Sequence, residues 1–104
     1  MVVEYIRYRI PPEQGEAFAA SYARAAAVLD ADEHCLGYEI ARGVEEPENW
    51  VVRITWDSVE GHERGFREAP HFSDFLTAVR PFIPAIQEMK HYQVEQTGPA
   101  QPKP

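Results

Sequence analysis

The hydrophobic periodicity of this chain alternates twice between the two-residue repeat of a strand and the longer repeat of a helix. Residues 50–56 carry apolar side chains on one face and smaller or charged ones on the other, as a half-buried strand does. In residues 13–31 the apolar positions are spaced for one helix face: Phe18, Tyr22, Ala25, Ala26 and Leu29. Right-handed crossovers fold such an order into a four-stranded antiparallel sheet with both helices on one face. We therefore predict an α+β, ferredoxin-like βαββαβ fold.

Prolines and polar turns divide the chain into its elements. The predicted strands span residues 2–10, 34–42, 50–56 and 86–96, and the predicted helices span residues 13–31 and 58–67 and restart at Pro70. We assign Asp57 as the N-cap of the second helix, because Glu60 follows three positions later. Residues 1–96 form the predicted domain, and residues 97–104, rich in proline, form a flexible tail.

Charge and composition exclude several classes of function. The net charge is −7, the opposite of what phosphate neutralisation by a nucleic-acid binder requires. The apolar stretches are too short to span a membrane. Cys35 is the lone cysteine and cannot form an internal disulfide, which favours a reducing, cytoplasmic location. The four histidines show no metal-site spacing, so no metal is expected.

The predicted fold leaves one face of the sheet uncovered by helices. Neither face is purely polar, and one of the two mixes small, apolar and charged side chains: Val3, Tyr5, Arg7, Cys35, Gly37, Glu39, Ala41, Val51, Arg53 and Thr55. A freely solvated sheet face shows a cleaner polar pattern. We predict a homodimer in which a second copy covers this face, with an open-faced monomer as the alternative.

The stretch from His34 to Phe75 carries four short motifs in a fixed order: Cys-Leu-Gly-Tyr-Glu-Ile-Ala-Arg, Glu-Glu-Pro-Glu-Asn-Trp, Ile-Thr-Trp-Asp-Ser-Val-Glu-Gly-His and Ala-Pro-His-Phe. In these motifs and their order the chain resembles the antibiotic biosynthesis monooxygenase (ABM) family. The similarity extends over nearly the whole chain except its tail. It implies a dimeric α+β barrel with a ligand pocket between the sheet and the helices of each subunit. Activities in the family include oxygenation of phenols and quinols without metal or flavin, and oxidative breakdown of haem.

The haem-degrading branch of the family does not fit this sequence. Its enzymes use an asparagine on the first strand, whereas the one asparagine here is Asn49, in a turn. The positions of the branch's tryptophan and histidine fall near Gly65 or Phe66 and near Phe75 or Leu76. The resemblance therefore favours cofactor-free oxygenation, with molecular oxygen as co-substrate and no bound cofactor.

Cofactor-free oxygenation needs a base for a phenolic proton and a cavity that excludes water. The resemblance gives this base as His62, which follows the third strand where the family's pattern has a histidine. Trp56 is predicted to shape the pocket. The alternative for His62 is a packing role beside the sheet edge.

The substrate-binding candidates are mostly aromatic: Tyr5, Tyr38, Arg53, Phe66, His71 and Phe72. A flat aromatic ligand suits a pocket walled by such rings. Each ring could instead be ordinary core. Arg53 could hold an anionic substrate or pair with Glu39 across the hairpin, and His71 could make a local hydrogen bond.

Three functions remain open on these observations. The first is a cofactor-independent monooxygenase that acts on a small aromatic or quinol-like substrate. The second is a non-catalytic protein of the same fold that binds a small hydrophobic ligand, and the third is an isomerase or cyclase. An oxygenase should place His62 at the cavity together with a donor such as Tyr5 or Arg53, whereas a solvent-facing His62 favours the binding protein.

Overall fold

The computed structural model describes residues 1–99. Its strands are β1 (Val2–Arg9), β2 (Cys35–Arg42), β3 (Asn49–Trp56) and β4 (Ile86–Gln93). Its main helices are α1 (Gly15–Ala31), which a 3₁₀ turn at Pro12–Gln14 precedes, and α2 (Phe72–Val79), which a 3₁₀ segment at Arg80–Ala85 follows. A π-helix, Gly61–Phe66, lies between β3 and α2. The predicted tail has no helix or strand up to residue 99, and residues 100–104 lie outside the described part.

The four strands form one antiparallel sheet in the order β2-β3-β1-β4. This order confirms the predicted ferredoxin-like fold. In register, Tyr5 of β1 lies between Arg53 of β3 and Lys90 of β4. Among residues 1–99, no helix combines the length and the apolar character that a bilayer crossing needs.

The core lies between the sheet and the helices. Its largest fully buried side chains are Tyr8, Ile10, Phe18, Tyr22, Leu29, Val52, Ile54, Trp56 and Phe66. The predicted stripe of α1 faces this core, with Phe18, Tyr22, Ala25 and Leu29 buried. Burial of this apolar surface is the main force that stabilises the layered arrangement. The other sheet face, which we call the open face, carries Tyr5 and Tyr92, which are 37% and 48% exposed.

The strand alternation predicts that Cys35 shares a sheet face with Gly37, Glu39 and Ala41, and this prediction was wrong. Cys35 pairs with Trp56 and Gly37 pairs with Thr55, so β2 has one extra residue, Leu36, at this point. Such a bulge reverses the side-chain alternation on one side of it. Cys35 therefore packs against the core, and burial raises the pKa of its thiol. Leu36 is 57% exposed.

The helix after β3 begins differently from the prediction. Asp57 is not its cap, because Asp57 Oδ2 lies 2.8 Å from Nδ1 of His34. The hydroxyl of Ser58 accepts instead from the backbone N–H of Gly61, at 2.8 Å. The wider π-helical turn, with its bond from Arg67 N–H to the His62 carbonyl at 3.2 Å, directs both His62 and Phe66 inward. π-Helical turns occur frequently at functional sites.

Candidate functional site

A cavity of about 340 Å³ lies between the sheet and the segment that runs from the π-helix through α2. Its wall is mainly apolar and aromatic: Ile6, Ile54, Phe66, Phe72, Phe75, Leu76, Val79, Ile83, Ile86 and Met89. Three strands contribute to its floor, and the two helical segments form its roof. A concave apolar site with few polar groups is typical of binding sites for small organic molecules.

One end of this cavity is polar and is built by Glu4, Trp56 and His62. The Trp56 indole N–H donates to Oε1 of Glu4 at 3.0 Å, and Nε2 of His62 lies 3.6 Å from the same oxygen. The indole and imidazole rings stack, with centroids 4.5 Å apart and planes 9° from parallel. Glu4 is 2% exposed and His62 is 4% exposed. These side chains therefore act in a nearly dry environment.

Burial shifts the pKa values of Glu4 and His62 in opposite directions, and each shift favours the uncharged form of its group. Loss of hydration raises the pKa of the Glu4 carboxyl above 4.5, although the Trp56 hydrogen bond opposes the change. Loss of hydration lowers the pKa of His62 to about 3, and the neighbouring Arg67 and His91 act in the same direction. His62 is therefore neutral at physiological pH, and Glu4 is the stronger base of the two.

His91 extends this polar end away from the cavity. Its Nε2 lies 2.7 Å from Nδ1 of His62, and it occupies the β4 position paired with Glu4. His91 is half-buried. The three side chains thus form a chain in which His62 stands between Glu4 and His91.

Glu4, His62 and His91 could also be considered as metal ligands. One ligand atom from each lies within 4.8 Å of the others. However, Glu4 approaches His62 at Nε2, whereas His91 approaches it at Nδ1. These nitrogens lie on different edges of the imidazole, so one ion bound to either nitrogen leaves the other partner on the far side of the ring. The geometry fits a hydrogen-bonded chain better than a chelate.

Two tyrosines line the cavity away from Glu4. The hydroxyls of Tyr8 and Tyr22 lie 2.5 Å apart. Burial raises the pKa of Tyr8 to about 12 and also raises that of Tyr22, so both hydroxyls stay protonated. Because the pair holds two protons and shares one hydrogen bond, one O–H remains for a ligand. Glu4 and Tyr8 are four residues apart on β1, about 13 Å along a strand.

The cavity brings together four of the residues predicted from sequence. His62 and Trp56 form its polar end, and Phe66 and Phe72 contribute to its aromatic wall. The Phe66 ring packs edge-on against Phe72, with centroids 5.4 Å apart. The aromatic pocket is therefore present, on the helix side of the sheet.

The other four predicted residues lie elsewhere. Tyr5 is on the open face, edge-on to Tyr92, and Arg53 lies on the same face with its Nε 3.4 Å from Oε1 of Glu39. The Tyr38 hydroxyl donates to Asp30 at 2.9 Å. His71 places its Nε2 2.7 Å from Oδ2 of buried Asp32. Strand alternation accounts for Tyr5 and Arg53, since odd-numbered residues of β1 and β3 face away from the cavity.

Sequence reasoning missed Glu4, His91 and Arg67 as cavity or near-cavity groups. The signal for Glu4 was present, because it shares the core-facing alternation of Ile6 and Tyr8 in β1. A carboxylate at a core position is unusual and indicates a special role. His91 and Arg67 gave no such signal, because their proximity to Glu4 depends on the strand register and on the π-helical turn.

Comparison with known proteins gives one consistent result. Residues 1–78 match the model of the antibiotic biosynthesis monooxygenase family. SnoaB, a cofactor-independent oxygenase from Streptomyces nogalater, is 21% identical with a TM-score of 0.72, and the match covers 94% of this chain and 96% of that chain. A candidate antibiotic biosynthesis monooxygenase from Chloroflexus aurantiacus is 26% identical with a TM-score of 0.72, over 93% and 96% of the two chains.

A curated relative extends the match along the chain. The uncharacterized protein YczJ of Bacillus subtilis (strain 168) is 19% identical over 93 residues, which is 89% of this chain and 98% of YczJ. The family match covers well over half of the sequence and includes β1, the π-helix and most of α2. These elements build the cavity and its polar end. The chain therefore belongs to the antibiotic biosynthesis monooxygenase family.

Proposed function

We propose that this chain is a cofactor-independent monooxygenase that acts on a small aromatic or quinol-like substrate. The observation that carries the proposal is the closed polar end of an otherwise apolar, aromatic cavity, where Glu4 and His62 face the ligand space. A phenol can ionise there without bulk water, and its anion can then reduce dioxygen. The family membership and the similarity to SnoaB support the same reaction class.

The proposed reaction balances without a cofactor. The phenolate gives one electron to dioxygen, and the resulting radical pair combines at a ring carbon that carries hydrogen. The peroxide then takes a proton, and loss of water leaves a quinone. One oxygen atom enters the product and the other leaves as water, and the substrate supplies all four electrons.

Several cavity residues have roles in this proposal. His62 and Trp56 belong to the proton-transfer end, and Phe66 and Phe72 hold the ring of the substrate. Arg67 lines the cavity and takes the role of the cation beside a phenolate, for which Arg53 was one of the alternatives. The hydroxyl pair of Tyr8 and Tyr22 provides the donor for a second polar group of the ligand.

The test is oxygen uptake with a panel of hydroquinones by the wild type and by His62→Ala. We expect the substitution to reduce turnover about tenfold or more, as loss of a group in proton transfer does. Labelled dioxygen should place one heavy oxygen atom in the product. Arg64→Ala is the matched control, because Arg64 lies on the outer side of the same helix and pairs with Glu60.

The non-catalytic binding protein remains the second candidate, because most of the cavity wall is apolar. It predicts that a flat aromatic ligand quenches the fluorescence of Trp56 while no member of the panel consumes oxygen. Uptake that is equal in the wild type and in His62→Ala would remove His62 from the mechanism.

We also propose that the protein works as a homodimer, in the cytoplasm. On the open face, exposed Tyr5 and Tyr92 pack edge-on, with ring centroids 5.4 Å apart. Ion pairs flank them, Arg53 with Glu39 and Lys90 with Glu88. A surface of apolar rings and paired charges suits a self-complementary contact with a second copy. A light-scattering mass of a single chain at micromolar concentration would contradict the dimer.

A further inference from the structure

Glu4 has three properties of a proton acceptor that His62 lacks in combination. It lines the cavity, it is held in place by the indole of Trp56, and it is the stronger base. Burying an acid among Ile6, Tyr8 and Trp56 costs folding free energy, so a structural role alone gives a poor account of it. His62 also faces the cavity, but its pKa of about 3 makes the neutral ring a weak base.

We propose that Glu4 is the catalytic residue that takes up and returns the protons of the reaction, and that His91 acts through His62 to support it. This inference rests on the proposed function and adds to it the identity of the proton acceptor. His62 and His91 are positioning residues in this scheme.

The proton steps form a closed cycle on Glu4. The carboxylate takes the phenolic proton and becomes a carboxylic acid, and that acid protonates the peroxide formed after oxygen addition. The restored carboxylate then removes hydrogen from the peroxide-bearing carbon as a proton. The O–O bond breaks, the departing hydroxide receives this proton from Glu4, and water and a quinone result.

His62 is placed to stabilise the protonated state of Glu4. A neutral imidazole carries one N–H, and the 2.7 Å contact allows Nδ1–H of His62 to donate to Nε2 of His91. That tautomer leaves Nε2 of His62 bare, 3.6 Å from Oε1 of Glu4. The protonated carboxyl can donate to this nitrogen. In the proposed scheme His91 is the acceptor of this hydrogen bond and thereby fixes the tautomer that Glu4 requires.

The charges around Glu4 set the pH range in which it works. Arg67 and His91 favour its carboxylate form, and so does the Trp56 hydrogen bond. Glu63 favours the acid form, as burial does. Asp32 acts on His62 in the opposite sense to Arg67 and His91. Turnover by the wild type should fall as Glu4 becomes protonated at low pH, and this low-pH limb should be absent from Glu4→Gln.

The first experiment compares oxygen uptake by Glu4→Gln with that of the wild type. Glutamine keeps the size of the side chain and can still accept from the Trp56 indole, but it cannot take a proton. We expect a loss of about 100-fold in kcat. Glu60→Gln is the control, because Glu60 is 74% exposed on the outer surface of the π-helical segment. Wild-type turnover in Glu4→Gln would overturn the inference.

The second experiment detects the proton transfer without oxygen chemistry. Under anaerobic conditions, 4-nitrocatechol reports its own ionisation, because its anion absorbs at longer wavelength than the neutral phenol. We expect the wild type to bind it as the anion below its solution pKa, and Glu4→Gln to bind it as the neutral form. Binding of the same form by both proteins, or no binding by the wild type, would count against Glu4.

The third experiment tests the positioning role in the free protein. Nitrogen-15 NMR of the imidazoles should show the His62 proton on Nδ1 in the wild type. His91→Leu should lose this tautomer preference and reduce kcat about tenfold. His91→Gln should restore much of the tautomer preference and of kcat, because the glutamine amide oxygen can accept from Nδ1–H of His62. If the His62 signals of His91→Leu show the same tautomer as those of the wild type, the role of His91 is contradicted.

These readouts separate the two proposals. If no quinol is oxidised but the anion is bound in a Glu4-dependent way, the monooxygenase assignment fails and the proton acceptor stands. If quinols are oxidised equally by the wild type and Glu4→Gln, the monooxygenase stands and the role of Glu4 fails.

Discussion

At the scale of single residues, the placement of Glu4 is the most informative feature of the molecule. Its neighbours along the inner side of β1 are Ile6 and Tyr8, both buried. A carboxylate at such a position costs several kcal/mol unless it is hydrogen-bonded. The one donor to Glu4 within the described residues is the indole of Trp56. Burial raises the pKa of Glu4, and the hydrogen bond from Trp56 opposes that shift and stabilises the buried carboxylate.

We predict that Trp56→Phe destabilises the protein by roughly 1.5–3 kcal/mol, the usual worth of a hydrogen bond to a charged group. The loss should be larger above the raised pKa of Glu4 than below it, because the indole stabilises the carboxylate form. Urea unfolding at several pH values measures it. Trp50→Phe is the control, since the buried Nε1 of Trp50 finds no hydrogen-bond partner in the described part of the chain. If Trp56→Phe and Trp50→Phe lose the same unfolding free energy at every pH, the prediction is contradicted.

A second residue-scale prediction concerns His34 and Asp57. Their contact at 2.8 Å raises the pKa of His34, and the nearby Glu33 and Asp32 add to the effect. A histidine whose pKa is higher in the folded than in the unfolded protein stabilises the folded state. This stabilisation is fully present below the unfolded-state pKa of about 6.5, and it is lost as the pH rises through the pKa of the folded protein. His34→Gln should therefore destabilise the protein more at about pH 5.5 than at about pH 8.5. Equal differences in unfolding free energy at both pH values would rule this out.

At the scale of elements, the π-helix decides the shape of the site. Its two glycines lie against the contact between His34, which precedes β2, and Asp57, which follows β3: a Cβ on Gly65 would clash with the imidazole of His34. Because Asp57 holds that ring, it cannot easily swing aside. The close approach lets the π-helical turn press onto the sheet edge. His62 and Phe66 reach the cavity as a result.

We predict that Gly65→Ala destabilises the protein by about 1–3 kcal/mol through overpacking. In an unconstrained helix the same substitution stabilises by up to about 1 kcal/mol, so the sign separates the two cases. Thermal unfolding measures the change. Gly98→Ala serves as the control, because no atom of residues 1–99 outside its chain neighbours lies within 4 Å of a Cβ there. If Gly65→Ala is as stable as the wild type, the imidazole of His34 moves aside to make room for the new methyl group.

At the scale of the whole molecule, the sheet separates two surfaces for which we propose different roles, ligand binding and dimer formation. The helix side holds the cavity, and the open face carries the rings and charges proposed for the dimer. The two surfaces use alternate residues of the same strands, since side chains point to opposite faces in turn. Loss of the dimer should therefore leave the cavity residues in place.

We predict that Tyr92→Arg separates the dimer while the protein still binds aromatic ligands. The substitution replaces an apolar ring of the proposed contact with an unpaired cation, which loses its hydration when a second copy covers it. Light scattering should give the 11.9 kDa mass of one chain for the variant and twice that mass for the wild type. Val44→Arg is the control, because Val44 is 87% exposed in the turn between β2 and β3. An unchanged dimer in Tyr92→Arg would place the interface elsewhere.

The sequence by itself determined the order of elements, the antiparallel sheet and the core stripe of α1. These depend on the spacing of apolar residues along a segment, which is a local property of the chain. It also predicted His62, Trp56, Phe66 and Phe72 as site residues, and all four line the cavity. The strand alternation could have identified Glu4 as well, had the carboxylate been treated as a core-facing residue.

Only the tertiary structure decided which polar groups meet at the cavity. The bulge at Leu36 turned Cys35 inward, and the alternation of β1 and β3 sent Tyr5 and Arg53 to the open face. His91 reaches His62 because β4 pairs with β1 in one register, between residues far apart in the chain. Register and bulges depend on the packing of whole layers rather than on local pattern. For that reason the fold could be predicted from the chain, while the chemistry of its site required the structure.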